Sequence, residues 1–114
     1  MGFFSWNCKE CGHPMLCSAA TEKKNRWMNE VVVIEDNGSI LKGEYDGYGR
    51  VNDREIDFNA PQCYHHHCWE KAGCPTTYTG ESKSARDQGW FFNDNVHNFS
   101  PDEIDKAKEE ATNG

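Results

Sequence analysis

Large aliphatic side chains are scarce in this sequence. Leu, Ile, Val and Phe together contribute 17 of the 114 residues, about 15%, whereas values below roughly 20% begin to suggest disorder. The chain nevertheless carries four Trp, four Tyr and six Phe, and disordered chains hold few aromatics. Its length allows one domain. We therefore expect one small aromatic core that needs a metal ion or disulfides in addition to apolar burial.

The sequence also lacks segments that would direct it into or across a membrane. Its first eight residues contain no basic region and no long apolar run, so we expect no signal peptide, and no stretch has the length of a transmembrane helix. Gly2 begins a myristoylation-like pattern, but Trp6 stands where that motif requires Ser or Thr. These absences predict a cytoplasmic protein with no membrane partner. In that reducing compartment, paired cysteines are more often metal ligands than disulfides.

Basic residues are too few to favour nucleic acid. Twelve Lys and Arg stand against 19 Asp and Glu, which gives a formal net charge of −7. Binding to DNA or RNA depends on cations that neutralise phosphates, so an acidic chain is a poor candidate for it. A protein partner with a basic surface fits this charge better. The sequence does not indicate an oligomeric state.

Two of the six cysteines form a close pair near the start. Cys8 and Cys11 are separated by two residues and followed by Gly12. This arrangement is typical of a zinc knuckle, in which two thiolates point the same way across a turn. A redox-active disulfide is the alternative. Such pairs usually lie in a strand–helix–strand unit, whereas a hairpin is predicted after this pair. His13 is expected at the surface of the turn.

A second set of donors lies in the run Cys-Tyr-His-His-His-Cys-Trp at 63–69. Residues three apart share one face of a helix, so His65 and Cys68 can bind the same ion. We prefer this pair because Trp69 follows it and can exclude water. The competing pairs join Cys63 to His66 or His67, and His13 could replace His65. The sequence thus predicts one Zn²⁺ bound by Cys8, Cys11, His65 and Cys68.

Turn and periodicity signals predict a small α+β fold. Val31–Ile34 and Ile40–Leu41, joined by Asp-Asn-Gly-Ser, predict a β-hairpin. Three glycines within 43–50 predict a bend, and residues 51–58 predict a further strand. A short helix is expected over 64–72, ending at Gly73, and another within 18–28.

A final helix is predicted from its N-terminal signals. Ser100 is the expected cap, Pro101 the first helical residue, and acidic residues fill the first turn. Its apolar stripe is weak, which predicts a peripheral position. We therefore expect a single zinc-stabilised domain over 1–92, followed by a linker and an acidic C-terminal helix over 93–114.

The order of knuckle, hairpin and ligand-bearing helix resembles the treble-clef zinc finger. The resemblance covers about residues 5–73 and implies a zinc knuckle, a small antiparallel sheet and a short helix that supplies the last two ligands. The 53 residues between Cys11 and His65 are more than many treble clefts carry. Residues 1–6, 43–50 and the Cys-Tyr-His…Cys-Trp segment also resemble small, largely uncharacterised bacterial and phage proteins. That second resemblance implies an intracellular accessory protein and no assigned activity.

No catalytic motif accompanies the predicted metal ligands. A catalytic zinc needs an open position and a nearby base, and Glu70 is expected to point away from the ligand face. Deaminase, nucleophile-elbow and phosphate-loop patterns are absent. The sequence therefore favours a protein-interaction module without catalysis. The alternatives are a zinc-dependent hydrolase or nuclease of the HNH type that uses the histidine run, and a disulfide-linked secreted domain.

The glycine-rich segment 43–50 supplies the candidate partner contacts. Tyr45, Tyr48 and Arg50 lie on it, and Tyr and Arg are favoured at interfaces. The alternative, of equal weight, is that both tyrosines cover the core. Three further cysteines, Cys17, Cys63 and Cys74, are expected as small buried residues, with a second metal site as the alternative. Core positions are expected at Met15, Leu16 and Met28.

Overall fold

The computed structural model describes residues 6–17, 26–56, 61–81, 100–103, 105–106 and 109. These residues form an α+β fold with antiparallel sheets and few helices. In the described ranges, no helix is both long enough and apolar enough to cross a membrane. The elements with defined bounds are a 3-10 turn (Arg26–Asn29), strands β1 (Glu30–Ile34), β2 (Ile40–Glu44), β3 (Arg50–Val51), β4 (Arg54–Glu55) and β5 (Gln62–His65), and helix α1 (His66–Lys71).

The predicted hairpin is confirmed as β1 and β2, and it forms two thirds of the main sheet. The strand order is β2–β1–β5, and both pairings are antiparallel. At the turn, Asn37 Oδ1 accepts the Ser39 amide at 2.9 Å, so the side chain fixes the reversal. Strand β1 is central, and its four β-branched residues are fully buried because both faces of the sheet are covered.

The sheet separates two clusters of buried side chains. The cluster that we call the cysteine-side core contains Cys8, Cys11, Leu16, Met28, Val32, Ile34, Tyr64, Cys68 and Trp69. The opposite core contains Met15, Val31, Val33, Leu41, Tyr45, Val51, Ile56 and Cys63. The core positions predicted at Met15, Leu16 and Met28 are thus confirmed. Three of the four predicted metal ligands, Cys8, Cys11 and Cys68, lie in the cysteine-side core.

The single strand predicted over 51–58 is wrong. Asn52 and Asp53 take positive φ angles of 48° and 69°, and these angles reverse the chain between β3 and β4. Asn and Asp tolerate this conformation, which the two central residues of a tight primed hairpin turn require. Residues 57 and 58 lie outside the described residues.

The helix predicted over 64–72 begins two residues later than expected. Tyr64 and His65 belong to β5, where they pair with Val32 and Val31 of β1. Helix α1 ends at Lys71, and Gly73 closes it through a 3.1 Å hydrogen bond to the Glu70 carbonyl. The helix predicted within 18–28 falls mostly outside the described residues.

The N-terminal cap predicted at Ser100 is confirmed. The Glu103 amide lies 3.4 Å from Ser100 Oγ, and the Glu103 carboxylate lies 3.3 Å from the same hydroxyl. The Ser100 side chain thus accepts a hydrogen bond from the amide of the third helical residue, as an N-cap residue does. Residues 101–103, 105–106 and 109 are helical.

Gly43 allows the Asn52 side chain to cover the edge of β2. Asn52 Oδ1 accepts the Glu44 amide at 3.1 Å, and Asn52 Nδ2 donates to the Lys42 carbonyl at 3.2 Å. Gly43 has a φ of 148°, and a Cβ there would overlap the Asn52 amide. We expect Gly43→Ala to lower the free energy of unfolding by about 1–3 kcal/mol, measured by urea denaturation. The double variant Gly43→Ala/Asn52→Gly should regain only the part of this loss that comes from the steric overlap. If Gly43→Ala is as stable as the wild type, this explanation is contradicted.

Candidate metal centre

The first half of the candidate site is a tight turn that carries two thiols. The Gly12 amide donates to the Cys8 carbonyl at 2.7 Å, and the Cys8 amide donates to the His13 carbonyl at 2.8 Å. Gly12 has a φ of 76°, a conformation that side chains disfavour. The Cys11 amide lies 3.5 Å from Cys8 Sγ. The turn therefore places both thiols inside and directs a backbone amide at one sulfur, as the knuckle prediction expected.

The second half lies at the junction of β5 and α1. His65 is the last residue of β5 and the N-cap of α1, and it makes no side-chain capping bond. Its imidazole is therefore available to the site. Cys68 follows in the first turn of α1. The His65 amide lies 3.4 Å from Cys8 Sγ, which ties this junction to the first half.

The structure brings Cys8, Cys11, His65 and Cys68 together. Their four ligand atoms lie within 4.8 Å of one another, and all four residues are buried. His65 Nδ1 is 3.2 Å from Cys11 Sγ and 4.0 Å from Cys68 Sγ. A tetrahedral zinc ion would separate such donors by about 3.5–3.8 Å, which lies between these distances. Within the described part of the chain, this is the one group of three or more His, Cys, Asp or Glu donors that could hold a metal ion.

The knuckle also fixes the orientation of the His65 ring. His65 Nε2 lies 2.9 Å from the Pro14 carbonyl oxygen, which can only accept a hydrogen bond. Nε2 therefore carries the proton, and the Nδ1 lone pair faces the thiols. A backbone carbonyl is one of the usual partners of the second nitrogen of a metal-binding imidazole. Nothing in the sequence indicated this contact, because it joins residues that are distant along the chain.

Two tryptophans enclose the site, and sequence reasoning identified one of them. Trp69 belongs to the cysteine-side core, and its indole nitrogen donates to the Pro75 carbonyl at 2.8 Å. Trp27, which the sequence did not single out, contacts the His65 ring edge-on at a centroid distance of 4.8 Å. Trp27 is half-buried and packs against the cysteine-side core.

Burial and mutual hydrogen bonding shift the pKa values of the Cys8 and Cys11 thiols in opposite directions. Burial disfavours the Cys8 thiolate, but hydrogen bonds with Cys11 and Cys68 and the nearby His65 ring lower its pKa well below the ordinary value. The pKa of Cys11 is raised by burial and by its hydrogen bonds to Cys68 and Cys8. Without a cation, a negative charge on one sulfur therefore disfavours ionisation of the neighbouring thiols. A divalent cation would offset this repulsion and allow all three thiols to ionise.

The two other histidines of the run lie outside the cluster. His66 Nδ1 lies 3.5 Å from Glu70 Oε1, and His67 Nε2 lies 3.4 Å from Asp105 Oδ2. The competing pairs of Cys63 with these histidines are not formed. The prediction that His13 lies at the surface of the turn is wrong: this residue is buried beneath the turn, and it does not take the place of His65.

The three remaining cysteines have different environments. Cys63 is buried in the opposite core, as expected, and burial raises the pKa of its thiol. Cys17 is half-buried and Cys74 is exposed, so the expectation that both are buried is wrong. All six cysteines lie within the described residues, and none of them forms a disulfide.

The predicted partner contacts are divided between the core and the surface. Tyr45 is 1% exposed and belongs to the opposite core, so its side chain is not available to a partner. Tyr48 is 62% exposed, and Arg50 is exposed as well. Asp46 Oδ1 holds the bend between them by accepting the amides of Tyr48 and Arg50 at 2.8 and 2.9 Å.

Comparison of the chain with protein-family models, with curated proteins and with solved structures gives no match. The treble-clef and phage-protein resemblances therefore gain no support from known proteins.

Proposed function

We propose that Cys8, Cys11, His65 and Cys68 bind one structural Zn²⁺, and that the protein is a small zinc-stabilised interaction module without catalytic activity. The observation that carries this proposal is the convergence of four buried donor atoms within 4.8 Å. Three thiolates and one imidazole form a soft donor set, and a single ion with these ligands is most often zinc. Such a site requires reducing conditions, which is why we propose a cytoplasmic protein.

The number and burial of the donors favour a structural role. A catalytic zinc keeps a coordination position for water or substrate, whereas four protein ligands complete a tetrahedral shell. Glu70, two residues after Cys68, is exposed and paired with His66. The hydrolase or nuclease alternative needs His66 and His67 as catalytic groups, and both are engaged with carboxylates outside the cluster.

The arrangement of the two halves supports a treble-clef-like organisation. A knuckle supplies Cys8 and Cys11, a β-hairpin follows, and a strand–helix junction supplies His65 and Cys68. The small hairpin of β3 and β4 accounts for part of the long gap between the two halves. In this proposal, zinc replaces the apolar burial that the composition does not provide.

The proposed partner surface is the bend that presents Tyr48 and Arg50. An exposed tyrosine on a bend held by Asp46 loses little conformational entropy when a partner covers it. The acidic charge of the whole chain favours a protein partner with basic character over nucleic acid.

Metal analysis of the native protein tests the zinc proposal. We expect one zinc per chain by elemental analysis, and loss of the near-ultraviolet circular dichroism signal when a strong chelator removes the ion. Added Zn²⁺ should restore this signal. The His66→Ala and His67→Ala variants serve as controls and should keep one zinc per chain. Absence of bound metal together with a chelator-resistant tertiary signal would contradict the zinc site, and metal-dependent hydrolysis of DNA would contradict the absence of catalysis.

A further inference from the structure

The C-terminal helical residues contact α1 beside the metal centre. Asp105 Oδ2 lies 3.0 Å from Lys71 Nζ and 3.4 Å from His67 Nε2. His67 and Lys71 are four residues apart, so they occupy one face of α1 and a single carboxylate can bridge them. The hydrogen bond from Lys71 to Asp105 raises the pKa of the lysine, which keeps its ammonium group charged. This bridge holds the segment that carries Asp105 against the outer face of α1.

A continuous series of ring contacts leads from this bridge to the donor cluster. The His67 ring meets the Trp27 ring at a centroid distance of 5.7 Å and an interplanar angle of 74°. The same indole meets the His65 ring at 4.8 Å and 67°. The outermost group in the series is Asp105, which is about one third exposed. Movement of Asp105 away from α1 would therefore remove a support from His67 and Trp27.

We propose that Trp27 and His67 form an outer wall over the His65 side of the metal centre, and that Asp105 holds this wall closed. Docking of the segment that carries Asp105 then slows the exchange of bound metal. The proposal rests on the zinc site proposed above. Metal leaves such a site when a ligand detaches and a competing ligand enters, and a packed indole over His65 obstructs both events. Because the bridge is partly solvated, its effect on the rate is moderate.

The test measures transfer of Zn²⁺ from the full chain to an excess of a chromogenic chelator. We expect Asp105→Asn to release zinc about two- to fivefold faster than wild type, with one zinc per chain retained before chelation. The matched control is Glu109→Gln, which removes the same charge from an exposed position on the same segment. High salt should accelerate release from wild type but not from Asp105→Asn, because salt screens the bridge.

A second pair of variants separates the wall from general stability. Trp27→Ala should release zinc faster than Trp27→Phe, and adding Asp105→Asn to Trp27→Ala should give no further acceleration. Equal release rates for wild type and Asp105→Asn, or equal acceleration by Glu109→Gln, would overturn the proposal while leaving the zinc site intact. A wild-type protein that binds no zinc would overturn both.

Discussion

Cys68→Ser is expected to lose bound zinc and with it the folded structure. A serine hydroxyl does not ionise at neutral pH, so the site would keep three ligands and an open position. Structural zinc contributes about 10–16 kcal/mol in small domains, whereas a whole domain has a net stability of about 5–15 kcal/mol. Loss of half of the metal contribution, about 5–8 kcal/mol, is therefore comparable to the net stability of a whole domain. Elemental analysis and near-ultraviolet circular dichroism measure the two losses, and Cys11→Ser should behave in the same way.

The control for this prediction is Cys63→Ala. Cys63 is as deeply buried as Cys68, and its backbone forms an isolated parallel β-bridge with that of Cys8, but its side chain lies in the opposite core. Its replacement should leave one zinc per chain and cost about 1 kcal/mol through the small cavity that it creates. Loss of zinc in Cys63→Ala, or a folded and zinc-loaded Cys68→Ser, would show that the donor set is wrong.

The donor cluster could be predicted from sequence because each half is local. Cys8 and Cys11 share a turn, and His65 and Cys68 are three residues apart, so short spacings identified both pairs before any tertiary contact was known. The surroundings of the cluster could not be predicted in this way. The contact of Pro14 with His65 and the position of Trp27 depend on how distant segments pack, and no spacing rule encodes that packing.

The fold was predictable where a local signal and a tertiary contact agree. The turn at Asn37 and the β-branched residues of β1 predicted the first hairpin, and its pairing confirms it. Strand β5 was missed because its four residues are all buried and show no alternation, so only pairing with β1 identifies it. The second hairpin was missed because β3 and β4 have two residues each. There the positive-φ turn at Asn52 and Asp53 outweighs the apolar residues within 51–58 on which the strand prediction relied.

Asn29→Asp is expected to cause the largest loss of stability outside the metal centre. Asn29 is 4% exposed, and its Nδ2 donates to the carbonyls of Leu16 and Tyr45, each at 3.0 Å. It thereby joins the segment after the knuckle to the bend after β2. A carboxylate at this position would face two carbonyl oxygens without a donor. We expect the free energy of unfolding to fall by about 3–5 kcal/mol at pH 7, measured by urea denaturation with saturating zinc.

The pH dependence of this variant distinguishes buried charge from loss of the two donors. Burial should raise the folded-state pKa of the new carboxyl above its unfolded value of about 3.9. The folded state then binds the extra proton, so the deficit relative to wild type should shrink as the pH falls from 7 to 5, by up to about 1.4 kcal/mol per pH unit. Zinc-ligand protonation affects both proteins and cancels in the difference. The control, Asn37→Asp, keeps an oxygen for the Ser39 amide at an exposed turn and should show neither effect. A deficit in Asn29→Asp that matches Asn29→Ala at every pH would mean that the two lost donors, and not a buried charge, account for the whole change.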